Sequence, residues 1–228
     1  MVDRATATRA VDIDASGTRL QGDLTIPPGA IGLVIFAHGS GSSRHSVRNR
    51  AVGRALEAAG LATLLMDLLT EGEEAVDIRT AQYRFDIALL ARRLTGAVDW
   101  ARHERETASL DVGLFGASTG AAAALITAAE RPEAIRAVVS RGGRPDLADA
   151  ALARVQAPTL LIVGGLDDVV IDLNQQACRL MHCERHLAIV PGATHLFEEP
   201  GTLDEVARLA STWFASHLAG RTVAAPTT

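Results

Sequence analysis

Val112-Gly113-Leu114-Phe115-Gly116-Ala117-Ser118-Thr119-Gly120-Ala121-Ala122-Ala123-Ala124 is the stretch on which the fold reading turns. Its first residues form a short apolar run of strand type, and the alanines that follow are strong helix formers. Between them stands Gly116-x-Ser118-x-Gly120. A chain that passes from strand to helix in so few residues leaves no room for side chains beside the turn, which requires small residues at its flanks and drives the serine out at the carboxyl edge of the sheet. In a chain rich in glycine and alanine the spacing alone is a weak signal, so its surroundings must carry the argument.

Upstream, residues 9–15 and 18–26 alternate apolar and polar positions around Ser16-Gly17, which predicts an antiparallel hairpin ended by Pro27-Pro28-Gly29. Leu33-Val34-Ile35-Phe36-Ala37 is continuously apolar, as in a strand covered on both faces, and runs into the glycine-serine loop 39–43. A helix is expected from Ser46 to Ala59, with Val47, Ala51, Ala55 and Leu56 on its buried side and Gly60 closing it; a strand follows from Leu61 to Met66. Residues 68–80 are acidic and read as irregular. From Ala81 to Ala101, Phe85, Ala88, Leu89, Leu94 and Val98 recur at helical intervals.

Downstream of the quoted stretch, strands are expected at 137–139, 159–163 and 187–190, and a last amphipathic helix at 203–218. Strands alternating with helices imply right-handed crossovers and a mostly parallel sheet with helices on both faces. Between Ser140 and Thr159 there is space for a short helix but not for a cap domain, so an open site is expected. Residues 1–228 read as a single α/β domain with its core at about 9–220 and a frayed tail at 221–228.

A serine hydroxyl is a poor nucleophile at neutral pH; it needs a base beside it and an acid to orient that base. Downstream of Ser118 come Gly164-Gly165-Leu166-Asp167-Asp168-Val169-Val170 and Pro191-Gly192-Ala193-Thr194-His195, each just after an expected parallel strand. Ser118, Asp167 and His195 thus fall in loops on one sheet edge, with Asp168 the alternative acid. Acyl chemistry also needs amide donors for the developing oxyanion. Thr119, at the start of the following helix, and Ser40, in His38-Gly39-Ser40-Gly41-Ser42-Ser43, are the candidates. Arg44 and Arg141 are expected near the pocket rim, where they would pair a substrate carboxylate; a surface ion pair, for instance to an acid in 71–77, is the other reading.

Taken together, His38-Gly39-Ser40-Gly41, Gly116-x-Ser118-x-Gly120, Gly164-x-x-Asp167-x-x-Val170 and Gly192-x-x-His195 resemble the dienelactone-hydrolase-like branch of the α/β-hydrolase superfamily over about residues 9–220. The resemblance implies an eight-stranded α/β-hydrolase fold without a cap and a route through an acyl-serine ester. It favours Asp167 over Asp168 by its spacing. Dienelactone hydrolases proper use a cysteine where this chain has Ser118, so the implied activity is general carboxylester hydrolysis of a small molecule.

Composition removes other classes. A net charge of −5 and 4% aromatics provide neither a basic field nor stacking platforms for nucleic acid. All 22 basic side chains are arginine, which excludes a lysine Schiff base and a Walker lysine. No apolar run reaches the ~18 residues of a membrane span, and Met1-Val2-Asp3-Arg4 opens no leader, so the expectation is a cytoplasmic protein that needs no membrane. Cys178 and Cys183 lack the second pair of a zinc site and read as idle thiols; neither cofactor nor metal is expected. Three rivals remain: an acyltransferase with the same triad, a noncatalytic ligand-binding protein of this fold, and a dinucleotide-binding protein. The last draws on Gly39-Ser40-Gly41 and Asp67, but Arg44 stands at its third glycine position.

Overall fold

The computed structural model describes residues 7–219. Strands β1 (Ala7–Ala15) and β2 (Thr18–Ile26) form the antiparallel hairpin, with Ser16 and Gly17 at positive φ in its turn. Then come β3 (Leu33–Ala37), helix α1 (Val47–Ala58), β4 (Ala62–Met66), α2 (Glu71–Thr80), α3 (Ile87–His103), β5 (Val112–Ala117) and α4 (Thr119–Glu130). The chain closes with β6 (Ile135–Arg141), a 3-10 helix (Pro145–Arg154), β7 (Thr159–Gly164), α5 (Asp168–Leu180), β8 (Arg185–Val190) and α6 (Thr202–Leu218).

These strands make one eight-stranded sheet in the order β1-β2-β4-β3-β5-β6-β7-β8. The pairs from β4 through β8 are parallel; β2 meets β4 antiparallel and hands over to the hairpin. This is the α/β-hydrolase fold. β3, β4, β5 and β7 are buried at every residue, as continuous apolar runs between two helical layers require. One layer packs α3, α4 and the 3-10 helix around Leu90, Leu94, Val98 and Leu125. The other packs α1 and α6 around Phe36, Phe115, Phe197 and Phe214, with the Phe36 and Phe115 rings 4.8 Å apart. Both faces of β5 are therefore fixed before it turns into α4.

Two segments depart from the sequence reading. Residues 71–80, expected to be irregular, form α2, capped by Thr70 and Glu73 in a reciprocal box in which each side chain accepts from the other's backbone N–H. Asp77 is the only residue that α2 buries, so the helix has no apolar stripe to announce it. Conversely, the expected helix from Ala81 begins only at Ile87. Asp77 accepts the N–H groups of Tyr83 and Arg84 at 2.7 and 2.9 Å and bends the chain there, and Asp86 then caps α3 by accepting from Leu89. Phe85 is left in that bend, 61% exposed. On α1 the buried face is Asn49, Val52, Gly53 and Leu56, and Val47 is exposed. Among the described residues no helix is long and apolar enough to cross a membrane. The expected tail at 221–228 lies outside the described residues.

Candidate active site

Ser118 sits at the hinge between β5 and α4 with φ 51° and ψ −120°. For a residue with a β-carbon this region is sparsely populated and costs on the order of 1–3 kcal/mol, so the surroundings must impose it. Its N–H donates to the Arg141 carbonyl at 3.2 Å, and its carbonyl accepts from Ala121 and Arg144 at 3.1 Å each. Close packing tightens the turn further. A β-carbon on Gly116 would lie 2.4 Å from Ala121 Cα, and one on Gly39 would lie 3.1 Å from Ser118 Cβ. The glycines around the serine are therefore demanded by contact distance.

The His195 imidazole hydrogen-bonds through Nδ1 to Asp167 Oδ2 at 2.6 Å. Asp167 is the residue just before α5, whereas Asp168 begins that helix and is exposed. The pair stands on the same sheet edge as Ser118: a β-carbon on Gly142, next to the Arg141 carbonyl that holds Ser118, would lie 3.6 Å from His195 Cε1. Among the described residues no hydrogen bond joins the Ser118 hydroxyl to the imidazole. In unliganded sites such contacts are commonly long and tighten when substrate binds.

Ser40 and Thr119 are brought together, their hydroxyls 3.2 Å apart. The Thr119 N–H, in the first turn of α4, has no intrahelical acceptor and points from the positive end of the helix dipole. The loop that carries Ser40 is anchored by His38, whose role the sequence did not announce. His38 Nε2 accepts from the Leu68 N–H at 3.0 Å, which places the ring proton on Nδ1, 2.9 Å from the Gly39 carbonyl. Burial pushes the His38 pKa down, against the raising effects of the Gly39 carbonyl and Asp67. A neutral histidine thus ties the start of the loop to the end of β4.

The two arginines separate. Arg44 is committed to acids, but to Asp67, through both its backbone N–H and its guanidinium, and to Asp23 at 3.7 Å, rather than to the 71–77 segment. That bond also occupies the Asp67 carboxylate on which a dinucleotide reading relied. Arg141 is 7% exposed beneath the His195 loop, its Cζ 5.9 Å from the Phe197 ring centre. Beside the Ser40 loop opens a cleft of about 500 Å³, lined by His38, His45, Val47, Leu69, Glu71 and Glu74 among others. Glu71 and Glu74 of α2 wall one side of this cleft. Cys178 and Cys183 are free thiols, half-buried and pushed up in pKa by that burial.

Comparison with known proteins places the chain in a family. The sequence pattern of the Dienelactone hydrolase family matches residues 20–216. The chain belongs to the dienelactone hydrolase family. A crystal structure of a dienelactone hydrolase from Anabaena variabilis is 58% identical, with a TM-score of 0.92 over 93% of this chain and 99% of that one. Est1E from Butyrivibrio proteoclasticus, at 18% identity and a TM-score of 0.75 over 92% and 99% of the two chains, shares the fold. Two Mycobacterium tuberculosis proteins are 57% identical over 210 residues, 92% of this chain, and carry the provisional name phosphoribosyl transferase. This chain spans about half the length of those relatives, 46%.

Proposed function

We propose that this member of the dienelactone hydrolase family is a serine carboxylesterase that cleaves a small-molecule ester through an acyl-serine intermediate. The observation that carries the reading is the 2.6 Å Asp167–His195 hydrogen bond on the edge where Ser118 is held in a strained turn. A carboxylate on Nδ1 leaves Nε2 as the basic nitrogen and stabilises the imidazolium that forms when it takes a proton. Strain at the serine is the kind of feature that persists only where the surroundings over-determine it.

In this mechanism the Ser118 Oγ bonds to the ester carbonyl carbon while His195 Nε2 takes its proton. The carbonyl oxygen becomes an oxyanion facing the Thr119 and Ser40 N–H groups. Collapse breaks the bond to the alcohol, which leaves with the proton from His195. Water then adds to the acyl-serine, giving a proton to His195; collapse breaks the bond to Ser118 Oγ, which takes that proton back as the carboxylic acid is released. The transferase name of the mycobacterial relatives speaks for proteins about twice as long; the ester reading concerns the half that this chain matches.

Reaction with a fluorophosphonate probe and turnover of p-nitrophenyl esters test the assignment. Wild-type protein is expected to be labelled and to release nitrophenol, while Ser118→Ala loses both and keeps its melting temperature within a few degrees. Turnover that survived in the variant would remove Ser118 from the mechanism. Added alcohol or amine distinguishes hydrolysis from acyl transfer by the product it yields.

A further inference from the structure

The Thr119 N–H, the candidate donor to the oxyanion, belongs to the same planar peptide as the Ser118 carbonyl, so whatever holds that carbonyl aims the N–H. The Ser118 carbonyl accepts from the Arg144 N–H at 3.1 Å. That N–H shares its own peptide with the Gly143 carbonyl, which accepts from Asn174 Nδ2 at 3.0 Å. Every peptide bond among the described residues is trans, so each plane carries its N–H and its carbonyl at opposite ends. One line of donors and acceptors therefore runs from the Asn174 amide through two rigid planes to the Thr119 N–H. The Ala121 N–H, also 3.1 Å from the Ser118 carbonyl, comes from α4 itself and fixes the serine only to its own helix.

Asn174 is fully buried on α5, about two turns beyond Asp167. The other residues that α5 buries are Val170 and Ala177, so packing alone calls for an apolar side chain at this position. A buried amide is costly unless its groups are bonded, and this one leaves its Oδ1 without a partner among the described residues. Its nitrogen donates to two carbonyls, which fixes the orientation of the amide, since an oxygen turned toward them would be repelled. The 2.8 Å bond to the Val170 carbonyl stays within α5 and joins nothing to it. Only the Gly143 bond reaches another segment. The chain has no slack there, because a β-carbon on Gly143 would lie 2.6 Å from Ala121 Cβ, in the first turn of α4.

We propose that Asn174 is a positioning residue for the oxyanion donor: it latches the Gly143–Arg144 peptide, and that peptide sets the tilt of the Ser118–Thr119 peptide whose N–H meets the oxyanion. Polarisation runs the same way, since each bond accepted by a peptide carbonyl strengthens the donor at the other end of its plane. Asn174 touches no reacting atom. Because Asp167 stands at the start of α5, one helix orients the base through Asp167 and the oxyanion donor through Asn174. The effect belongs to the transition state, where the carbonyl oxygen becomes charged, and not to substrate binding. This proposal rests on the ester reading for the role of the Thr119 N–H.

Asn174→Ser isolates the bond, because a serine hydroxyl reaches the Val170 carbonyl within the helix but is too short for Gly143. With p-nitrophenyl butyrate its kcat should fall about ten- to a hundredfold while KM stays within about twofold. A trifluoromethyl ketone, whose adduct with Ser118 carries the oxyanion, should lose affinity by a similar factor. The control is Ala177→Gly, which loosens the same helix further along, and its kcat should stay within about twofold. An equal fall in the control, or a kcat in Asn174→Ser within about twofold of wild type, would overturn the proposal. Hydrogen exchange of the Arg144 amide reads the latch without any substrate, and should quicken about tenfold or more in Asn174→Ser relative to Ala177→Gly. Quicker exchange in a protein that turns over no ester would keep the latch and remove the esterase. Exchange at the control's rate would remove the latch, whatever the turnover. In the wild-type protein the Asn174 side-chain protons should exchange slowly, and rapid exchange there would overturn the latch even if the serine variant failed to fold.

Discussion

A β-carbon on Gly120 would fall 2.2 Å from the Ala37 carbonyl oxygen, so the first turn of α4 rests directly on the end of β3. The contact brings the loop that starts at His38 against the serine turn. Gly120→Ala must push these two backbones apart, and neither is a flexible side-chain end. The expected cost is about 3 kcal/mol or more, at the upper end of overpacking effects. Urea unfolding of the variant checks it. A loss under about 1 kcal/mol would mean that the β3–α4 contact is looser than described.

The strained backbone of Ser118 predicts a stability effect opposite in sign to its effect on activity. Glycine adopts φ 51° without penalty, so Ser118→Gly releases on the order of 1–3 kcal/mol and gives back roughly 0.5–1 kcal/mol through the greater freedom of its unfolded chain. A higher melting temperature than wild type, with ester turnover abolished, is the expected pair of results. A lower melting temperature would argue that the serine side chain contributes to folding.

For Asp167→Asn, the hydrogen bond to His195 Nδ1 can persist but with the wrong polarity, since an amide donates where a carboxylate accepts. The expected fall in kcat is on the order of 10²- to 10⁴-fold with little change in KM. Asp168→Asn, altering an exposed side chain at the start of α5, should leave kcat within about twofold. Exchanged outcomes would transfer the acid role to Asp168.

Most of the architecture was legible because it depends on periodicity: buried parallel strands read as unbroken apolar runs, and α3, α4 and α6 show apolar recurrence. Helix α2 was not legible from that signal, since Asp77 is all it buries. Its start was nonetheless written in Thr70-x-x-Glu73, a spacing that a search for capping boxes would have found. The candidate triad was legible from chain order, because strand ends on a parallel sheet share one edge. The fate of the arginines was not. Whether Arg44 meets Asp67 or a substrate depends on the side-chain directions of three separate segments, and no local pattern encodes that. Val47 was misassigned because α1 turns its first residue toward the cleft and packs Asn49 inward.

The Asp77–Arg84 pair should control the wall of the cleft. Asp77 is fully buried; burial raises its carboxyl, but the N–H groups of Arg84 and Tyr83 and the Arg84 guanidinium outweigh that and hold its pKa below the ordinary value. The Arg84 Nη1 in turn lies where a β-carbon on Gly41 would meet it at 3.2 Å, so the pair reaches the Ser40 loop. Asp77→Ala leaves backbone donors and a partly buried cation without their acceptor. A loss of about 2–4 kcal/mol is expected, with a rise in KM as the cleft wall loosens. Unchanged KM at reduced stability would restrict the pair to a purely structural role.

His38 makes stability fall on the acid side of neutrality, and the sign follows from which state binds more protons. Burial lowers the folded-state pKa of His38 below its ordinary value of 6.5. Between those two pKa values the unfolded chain binds a proton that the folded protein refuses, so stability rises with pH. The contribution is intact above 6.5 and is lost progressively as the pH drops toward the folded-state value. Protonation would also turn Nε2 from acceptor to donor against the Leu68 N–H, releasing the start of the Ser40 loop. His38→Gln keeps an acceptor of similar reach without a titrating proton. Urea midpoints measured from pH 8 down to pH 5 should therefore decline less in His38→Gln than in wild type, and parallel declines would show that another group sets the acid limit.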